Sequence, residues 1–452
     1  MTPARLAAAR VLVALDRGRT TLSLELERHR ASIEDDRDRG LLFELAAGTL
    51  RWRGELDAVL VACMTRPLAE IDSPVRTLLR LGAYQLLHLD RIPPHAVVHE
   101  SVELARALGH SRATGFVNAV LRRLARGRPA NALPRRPKDT DTRERQIAYL
   151  AKTLSHPAWL AERWLDRFGF AAAEAWCRFN NETPAVTLAP TGRLSEPDLI
   201  AAIDAAGLGA ERARWVTDAF QLSSSAGGRL PDALANAVAV QDEGSQIVAH
   251  AVRAAAGERV LDACAAPGGK TVVMARDMGR HGTLVASDAR AARLGVLRGL
   301  LARADVRAAV LQLDASRPFP FGDVFDAVLL DAPCSGLGTL RRDPDLKWSR
   351  QPDDLPQLAA TQRAMLAHAA AVVRPGGRLV YATCSSEPEE NEAVVHAFLD
   401  AHRDFAAARI DPGPAVPSGV QLVDDRGHLR TLPFRDGLDA FYAALLVRRR
   451  AA

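Results

Sequence analysis

Two periodicities divide the chain. Over residues 1–128, apolar side chains recur at helical spacing in RLAAARVLVALDRG, DRGLLFELAAGTLRW, VRTLLRLGAYQLLHL, AVVHESVELARALG and TGFVNAVLRRLARG. Pro or Gly bounds each run, and Pro67, Pro93 and Pro94 mark breaks. No strand-type alternation interrupts them, so an all-α domain is predicted over 1–130. Residues 131–145, rich in Pro, Asn, Asp, Thr and charge, read as a linker. LSHPAWLAERWLDRFG then predicts a helix and NNETPAVTLAPTG a turn entering a strand, so 146–239 is read as a small α+β connecting domain.

From residue 240 strands and helices alternate, the pattern of a parallel α/β sheet. ERVLDACA is a short apolar strand running into APGGK, and TVVMARDM is its helix. TLVASD, AAVLQLD and FDAVLLDAPC predict further strands, and PGGRLVYATCSS a fifth, after a helix over about 354–374. EPEENEAVVHAFLDAH predicts another helix, and RTLPF and FYAALLVRR two closing strands. The fold class is therefore multidomain, an all-α N-terminal domain followed by an α/β Rossmann-like domain over 240–452.

Composition narrows the function classes. With 452 residues, 48% hydrophobic and 25% charged, the chain is ordinary globular material of two or three domains. No apolar run approaches the roughly 18–20 residues of a membrane span. Arg5 and Arg10 interrupt the apolar N-terminus, so no signal core is expected and a cytoplasmic, membrane-free protein is. Five cysteines without a CxxC pair, and twelve histidines without HExxH, indicate reduced thiols and no metal. A net charge of +5 allows a polyanion partner. Arg122, Arg123, Arg126, Arg128, Arg135 and Arg136 crowd into fifteen residues with no acid among them, a run able to anchor phosphates or simply to stay solvated. Only four of the 59 basic residues are Lys, and two of these, Lys270 and Lys347, sit in motif-like segments.

In an open α/β sheet, ligands collect at the carboxyl ends of the strands. Asp262, Asp288, Asp314, Asp331, Cys334 and Cys384 all fall at such ends and would gather along one edge. Gly268 and Gly269 let backbone approach a ligand where the first strand turns into a helix. Asp288, about 20 residues on, is placed to hold ribose hydroxyls. That spacing suits NAD or S-adenosylmethionine, but CAAPGGK lacks the GxGxxG of a dinucleotide site. The two thiols suit covalent activation of a pyrimidine: a thiolate adding at C6 makes C5 nucleophilic enough to take a methyl group. Two small buried hydrophobes are the bland alternative. The chemistry requires Cys334 and Cys384 to face a common opening.

The motifs DACAAPGGKT, ASDAR, LQLDAS, DAPCSGLGTLRRDPDLKW and YATCSSEPEENE resemble those of the RNA cytosine-5 methyltransferases of the Sun/Nop2 family. The first third resembles the NusB-like RNA-binding domain, and the fusion is characteristic of bacterial enzymes acting on 16S ribosomal RNA. The resemblance implies S-adenosyl-L-methionine as cofactor, small-subunit ribosomal RNA as partner and a monomer. It implies Cys384 as the nucleophile on C6 and Cys334 in release of the methylated product. Cys264, Ala265, Ala266, Pro267, Gly268, Gly269 and Lys270 would wrap the methionine end of the cofactor. Asp288 would bind its ribose, Asp314 its adenine side, and Asp331 would lie between cofactor and base. Transfer RNA as substrate, or a non-catalytic RNA-binding assembly factor, are the alternatives. Ala189 and Pro190 replace a usual Arg-x-Asn, and Leu438, Asp439 and Ala440 intervene before Phe441 and Tyr442.

Overall fold

A computed structural model describes residues 2–18, 20–222, 230–417 and 421–450. Its contacts separate two compact units: Met1–Thr183 with Leu340–Arg350, and Pro184–Thr339 with Gln351–Ala452. These limits do not follow the expected linker and connecting-domain boundaries. Residues 131–183 belong with the N-terminal helices, 184–239 go with the α/β half, and 340–350 leaves that half to join the helices.

The first unit holds no strand among its described residues, and its main helices are α1 Pro3–Asp16, α2 Leu22–Arg30, α3 Asp36–Arg51, α4 Arg53–Ala62, α5 Ser73–His88, α6 Pro94–Ala107, α7 Thr114–Ala125, α8 Arg143–Ala148 and α9 Ala158–Asn181. Asp35 caps α3, its carboxylate accepting from the amides of Arg37 and Asp38. Pro94 opens α6 at a position where its missing N–H costs nothing. Leu42, Leu45, Leu56, Leu60, Leu78, Leu79 and Leu81 form the buried centre. In α9, Trp164 stacks on Trp176 at 4.5 Å, both wholly buried.

Residues 340–350 join this unit for a local reason. The last carbonyls of α3 have no helical donor of their own and attract cations. Trp348 Nε1 donates to Leu50 O at 2.6 Å, and Lys347 Nζ to Arg51 O at 3.3 Å. Lys347 also donates to Asn181 Oδ1 at 2.7 Å and Ser155 O at 3.4 Å, and is wholly buried. Lys347 is thus a structural ammonium of the helical unit.

The second unit holds two sheets. The smaller is antiparallel, order β2-β3-β1-β4, from β1 Thr187–Pro190, β2 Ala210–Arg212, β3 Phe220–Leu222 and β4 Val238–Val240, with α10 Glu196–Ala205 and α11 Asp232–Ala237. α12 Glu243–His250 leads into the larger sheet, whose strands are β5 Arg259–Asp262, β6 Thr283–Asp288, β7 Ala309–Gln312, β8 Phe325–Asp331, β9 Val373–Thr383, β10 Phe405–Ala408, β11 Leu429–Arg430 and β12 Tyr442–Arg448. Its order is β7-β6-β5-β8-β9-β12-β10, with β11 beside β12. Strands β5 to β9 run parallel, and β12 lies antiparallel to β9. Helices α13 Gly269–Asp277, α14 Ala291–Arg303, α15 Asp354–Ala371 and α16 Glu392–Ala401 complete the layers. α12 and α13 pack on one face through Ile247, Val248, Val273 and Met274; α15 and α16 pack on the other through Leu366, Ala369, Val394 and Phe398. The chain leaves β5 for β6 on one side and pairs β5 with β8 on the other, so the crevice between β5 and β8 is the switch point where ligands bind. No described helix is long and apolar enough to cross a membrane.

Candidate active site

Strand endings place most of the expected residues. Asp262 ends β5, Asp288 ends β6 and Asp331 ends β8, while Cys334 and Cys384 lie just beyond β8 and β9. The register pairs Asp331 with Ala382, two residues before Cys384. The two sulfurs consequently meet: Cys334 Sγ lies 3.3 Å from Cys384 Sγ, fifty residues away in sequence. Both thiols are partly exposed, not sealed in the core. Lys270, from the first turn of α13, reaches Asp331 with Nζ 2.8 Å from Oδ2 and sits over the Phe441 ring at 5.6 Å.

A cavity of about 620 Å³ opens at this edge, with Asp262, Cys264, Lys270, Asp331, Gln241 and Leu300 in its wall. Ala265, Ala266, Pro267 and Gly269 also line it. Cys334 and Cys384 are not part of that wall, though Cys384 lies within electrostatic range of Lys270, which is part of it. Gly268 has φ +114°, and an added Cβ would stand 2.7 Å from Leu297. The positive φ at Gly268 favours glycine there, whereas at Gly269 a Cβ would meet the end of the Gln241 side chain at 2.9 Å and require it to shift.

Gly268, Asp288 and Asp314 also lie outside the cavity wall. Asp288 is buried, its Oδ1 accepting from Arg290 N at 3.0 Å and its Oδ2 3.2 Å from Arg293. Asp314 lies two residues past β7, exposed, and hydrogen bonds from Ser316 hold its carboxyl below the usual range.

Electrostatics separate the groups. Burial raises the Asp262 carboxyl to about 7, against a hydrogen bond from Thr271 at 2.7 Å; Oδ1 of the same carboxyl has no partner. Lys270 would lose its proton more readily through burial, but the charge of Asp331 reverses this and raises it; a charged Cys384 contributes in the same sense. The Cys334 thiol is pushed well up, first by its hydrogen bond to Cys384, then by burial and by Glu390. Burial and the surrounding carboxylates also hold Cys264 as a thiol.

Sequence reasoning missed the supports. Gly338 N donates to Cys384 O and Gly338 O accepts from Ala440 N, each at 2.9 Å. A Cβ on Gly338 would run into the Ala440 carbonyl and stand 2.8 Å from Cys384 O. The residues intervening before Phe441 therefore abut the cysteine loops. Among described residues no cluster of His, Cys, Asp or Glu suits a metal. In the helical unit, Arg128 pairs with Glu55 and Arg136 with Glu174, each at 2.8 Å. Of the arginine run, Arg122 and Arg126 instead line a groove of about 790 Å³ with His95, His99 and Arg106.

Comparison with known proteins matches three segments. A family model described as 16S rRNA methyltransferase RsmB/F covers residues 249–447, the NusB family 2–126, and a RsmF/B-like ferredoxin-like domain 156–227. The chain is 34% identical over 447 residues to the probable ribosomal RNA small subunit methyltransferase B of Bacillus subtilis, covering 98% of each. It is 37% identical over 456 residues to ribosomal RNA small subunit methyltransferase B of Pseudomonas putida, covering 99% of each. Among solved structures, PH0851 shares the fold at a TM-score of 0.79 and 24% identity, covering 99% of each chain. A methyltransferase homolog protein from Pyrococcus horikoshii matches at 0.56 and 26% identity, over 67% of this chain and 98% of that one.

Proposed function

The chain belongs to the 16S rRNA methyltransferase RsmB/F family, and we propose that it methylates C5 of a cytidine in 16S ribosomal RNA through a transient Cys384–C6 bond. The family's cofactor is S-adenosyl-L-methionine, which when bound supplies a methyl group on a sulfonium. The residues present fit it. Asp262 offers a buried acceptor without a partner, Asp331 and Asp288 add negative charge beside a cation, and Gly268 and Gly269 leave the backbone accessible. Cys264 through Lys270 would hold its methionine end, and Asp288 and Asp314 its nucleoside.

The sulfur–sulfur distance of 3.3 Å beside the Lys270–Asp331 pair carries this reading. Cys384, as its thiolate, would add to C6 of the cytosine. The ring then has an enamine whose C5 takes the methyl group. In the last step C5 gives up its proton and the C6–S bond breaks, returning Cys384. Cys334, whose sulfur lies 3.3 Å from that of Cys384, would assist that elimination. Asp331, fixed by Lys270, would steady the polar edge of the base.

A cytosine stacked in a helix cannot reach two sulfurs behind a carboxylate, so the target must be unpaired or flipped out. Arg122 and Arg126 would grip phosphates elsewhere on the same RNA. The test is transfer of labelled methyl from the cofactor to 16S RNA and to transfer RNA. The proposal expects labelling of 16S RNA at C5 by the wild type and none by Cys384→Ala. Labelling by that variant, or only of transfer RNA, would refute it.

A further inference from the structure

We infer that Glu390 is a positioning residue, a buried carboxylate that clasps the two cysteine loops to each other and so sets the distance between Cys334 and Cys384. The inference rests on the covalent reading for its consequence in catalysis, but not for its geometry.

Each cysteine is followed by a serine, Ser335 and Ser385, and both serines point to one acid. Ser335 Oγ and Ser385 Oγ each donate to Glu390 Oε2 at 2.5 Å. The Ser335 amide donates to Oε1 at 2.8 Å, and Gln362 Nε2 to the same oxygen at 3.0 Å. Gln362 also donates to Pro333 O at 3.0 Å, so the residues on both sides of Cys334 are held. Asn391, the next residue, secures the other loop, with Oδ1 accepting from Thr383 Oγ1 at 2.6 Å and Nδ2 donating to Ser385 O at 2.9 Å. Glu390, Asn391, Ser335, Ser385 and Gln362 are all buried, with relative exposures of 0–2%.

A carboxylate with no exposure is costly unless its lone pairs are filled. Here four donors fill them, three from the two cysteine loops and one from α15, so separating the loops strips the acid of its partners. That coupling converts desolvation into mechanical stiffness. The same charge acts on Cys334 and adds to the causes that hold it as a thiol.

Substitution separates clasp from charge. Glu390→Gln keeps one carbonyl oxygen for the Ser335 amide and Gln362, and its amide can donate to both serine hydroxyls, which turn to accept. Glu390→Ala removes every link. The probe is phenylarsine oxide, whose arsenic bonds two neighbouring thiols with loss of water. The wild-type chain is expected to bind it at Cys334 and Cys384, and Cys384→Ser to lose that site. Glu390→Ala should weaken it about 100-fold, because chelation depends on the effective concentration of the second thiol. Its kcat should fall on the order of 100-fold at unchanged KM for RNA, the expected effect of a misplacement near 1 Å. Glu390→Gln should restore arsenical binding. Ser335→Ala/Ser385→Ala, which leaves the acid in place, should behave like Glu390→Ala and decides the matter if that variant does not fold. Wild-type arsenical affinity in either, or loss in Glu390→Gln as deep as in Glu390→Ala, overturns the clasp. Methylation surviving Cys384→Ala would sink the covalent chemistry while leaving the arsenical result intact.

Discussion

Replacing Asp262 with Asn tests whether the edge of β5 is built for a cation. Asp262 is 1% exposed and its pKa is raised from 3.8 to about 7 by burial. Asp331 and Asp288 push it in the same direction and Lys270 opposes them. Between 3.8 and about 7 the folded chain therefore holds a proton that the unfolded chain has released. Stability contributed by this group is full below the lower value and is lost as pH rises through the upper one. At 1.36 kcal/mol per pH unit the loss is at most about 4 kcal/mol. Asn carries no such proton, so the wild type should lose stability relative to Asp262→Asn as pH rises across that window, then run parallel to it above. For a unit of this size the difference in Tm should change by up to roughly 10 °C. S-adenosylhomocysteine, whose α-ammonium can donate to the unpaired Oδ1, should bind the wild type more tightly as Asp262 ionises and should show a flatter pH dependence with the variant. Scanning fluorimetry with and without this ligand reads both effects. A wild-type-minus-variant difference that is constant between pH 4 and 7, or that grows in favour of the wild type, would refute the reasoning.

Other positions give sharp expectations. Lys347→Met removes an ammonium that burial holds well below 10.5. In the wild type the unfolded chain binds the extra proton up to 10.5, so stability should rise with pH toward that value, and the variant's thermal-melt profile should lack this rise. Gly338→Ala drives a methyl into the Ala440 carbonyl. It should cost about 1–3 kcal/mol by denaturant unfolding and lower kcat by displacing Cys384. Arg122→Ala/Arg126→Ala should weaken RNA binding uniformly across sequences and reduce the slope of log K against log salt by roughly one to two in a filter-binding titration.

The candidate edge was legible in the sequence because strands reveal where they end. Asp262, Asp288, Asp331, Cys334 and Cys384 each follow an apolar run, and parallel topology aligns such ends without further information. Pairing across the chain was not legible. EPEEN reads as the start of a helix, yet the helix begins at Glu392, and Glu387 and Glu390 are wholly buried ahead of it. The groups that bury Glu390 come from Ser335 and Gln362, 55 and 28 residues away. The arginine run was likewise ambiguous, since only folding shows that Arg128 and Arg136 face Glu55 and Glu174. Lys270 and Lys347 looked equivalent by rarity. One meets a carboxylate beside the thiols, and the other meets carbonyls at a helix end.

Removing the Cys334 thiol probes the division of labour between the sulfurs most directly. Cys334→Ala, incubated with 16S RNA and S-adenosylmethionine, should accumulate a protein–RNA adduct that survives denaturing gels, and peptide mapping should place the bond on Cys384. An adduct mapped to any other residue, or full turnover with no adduct, would contradict the account.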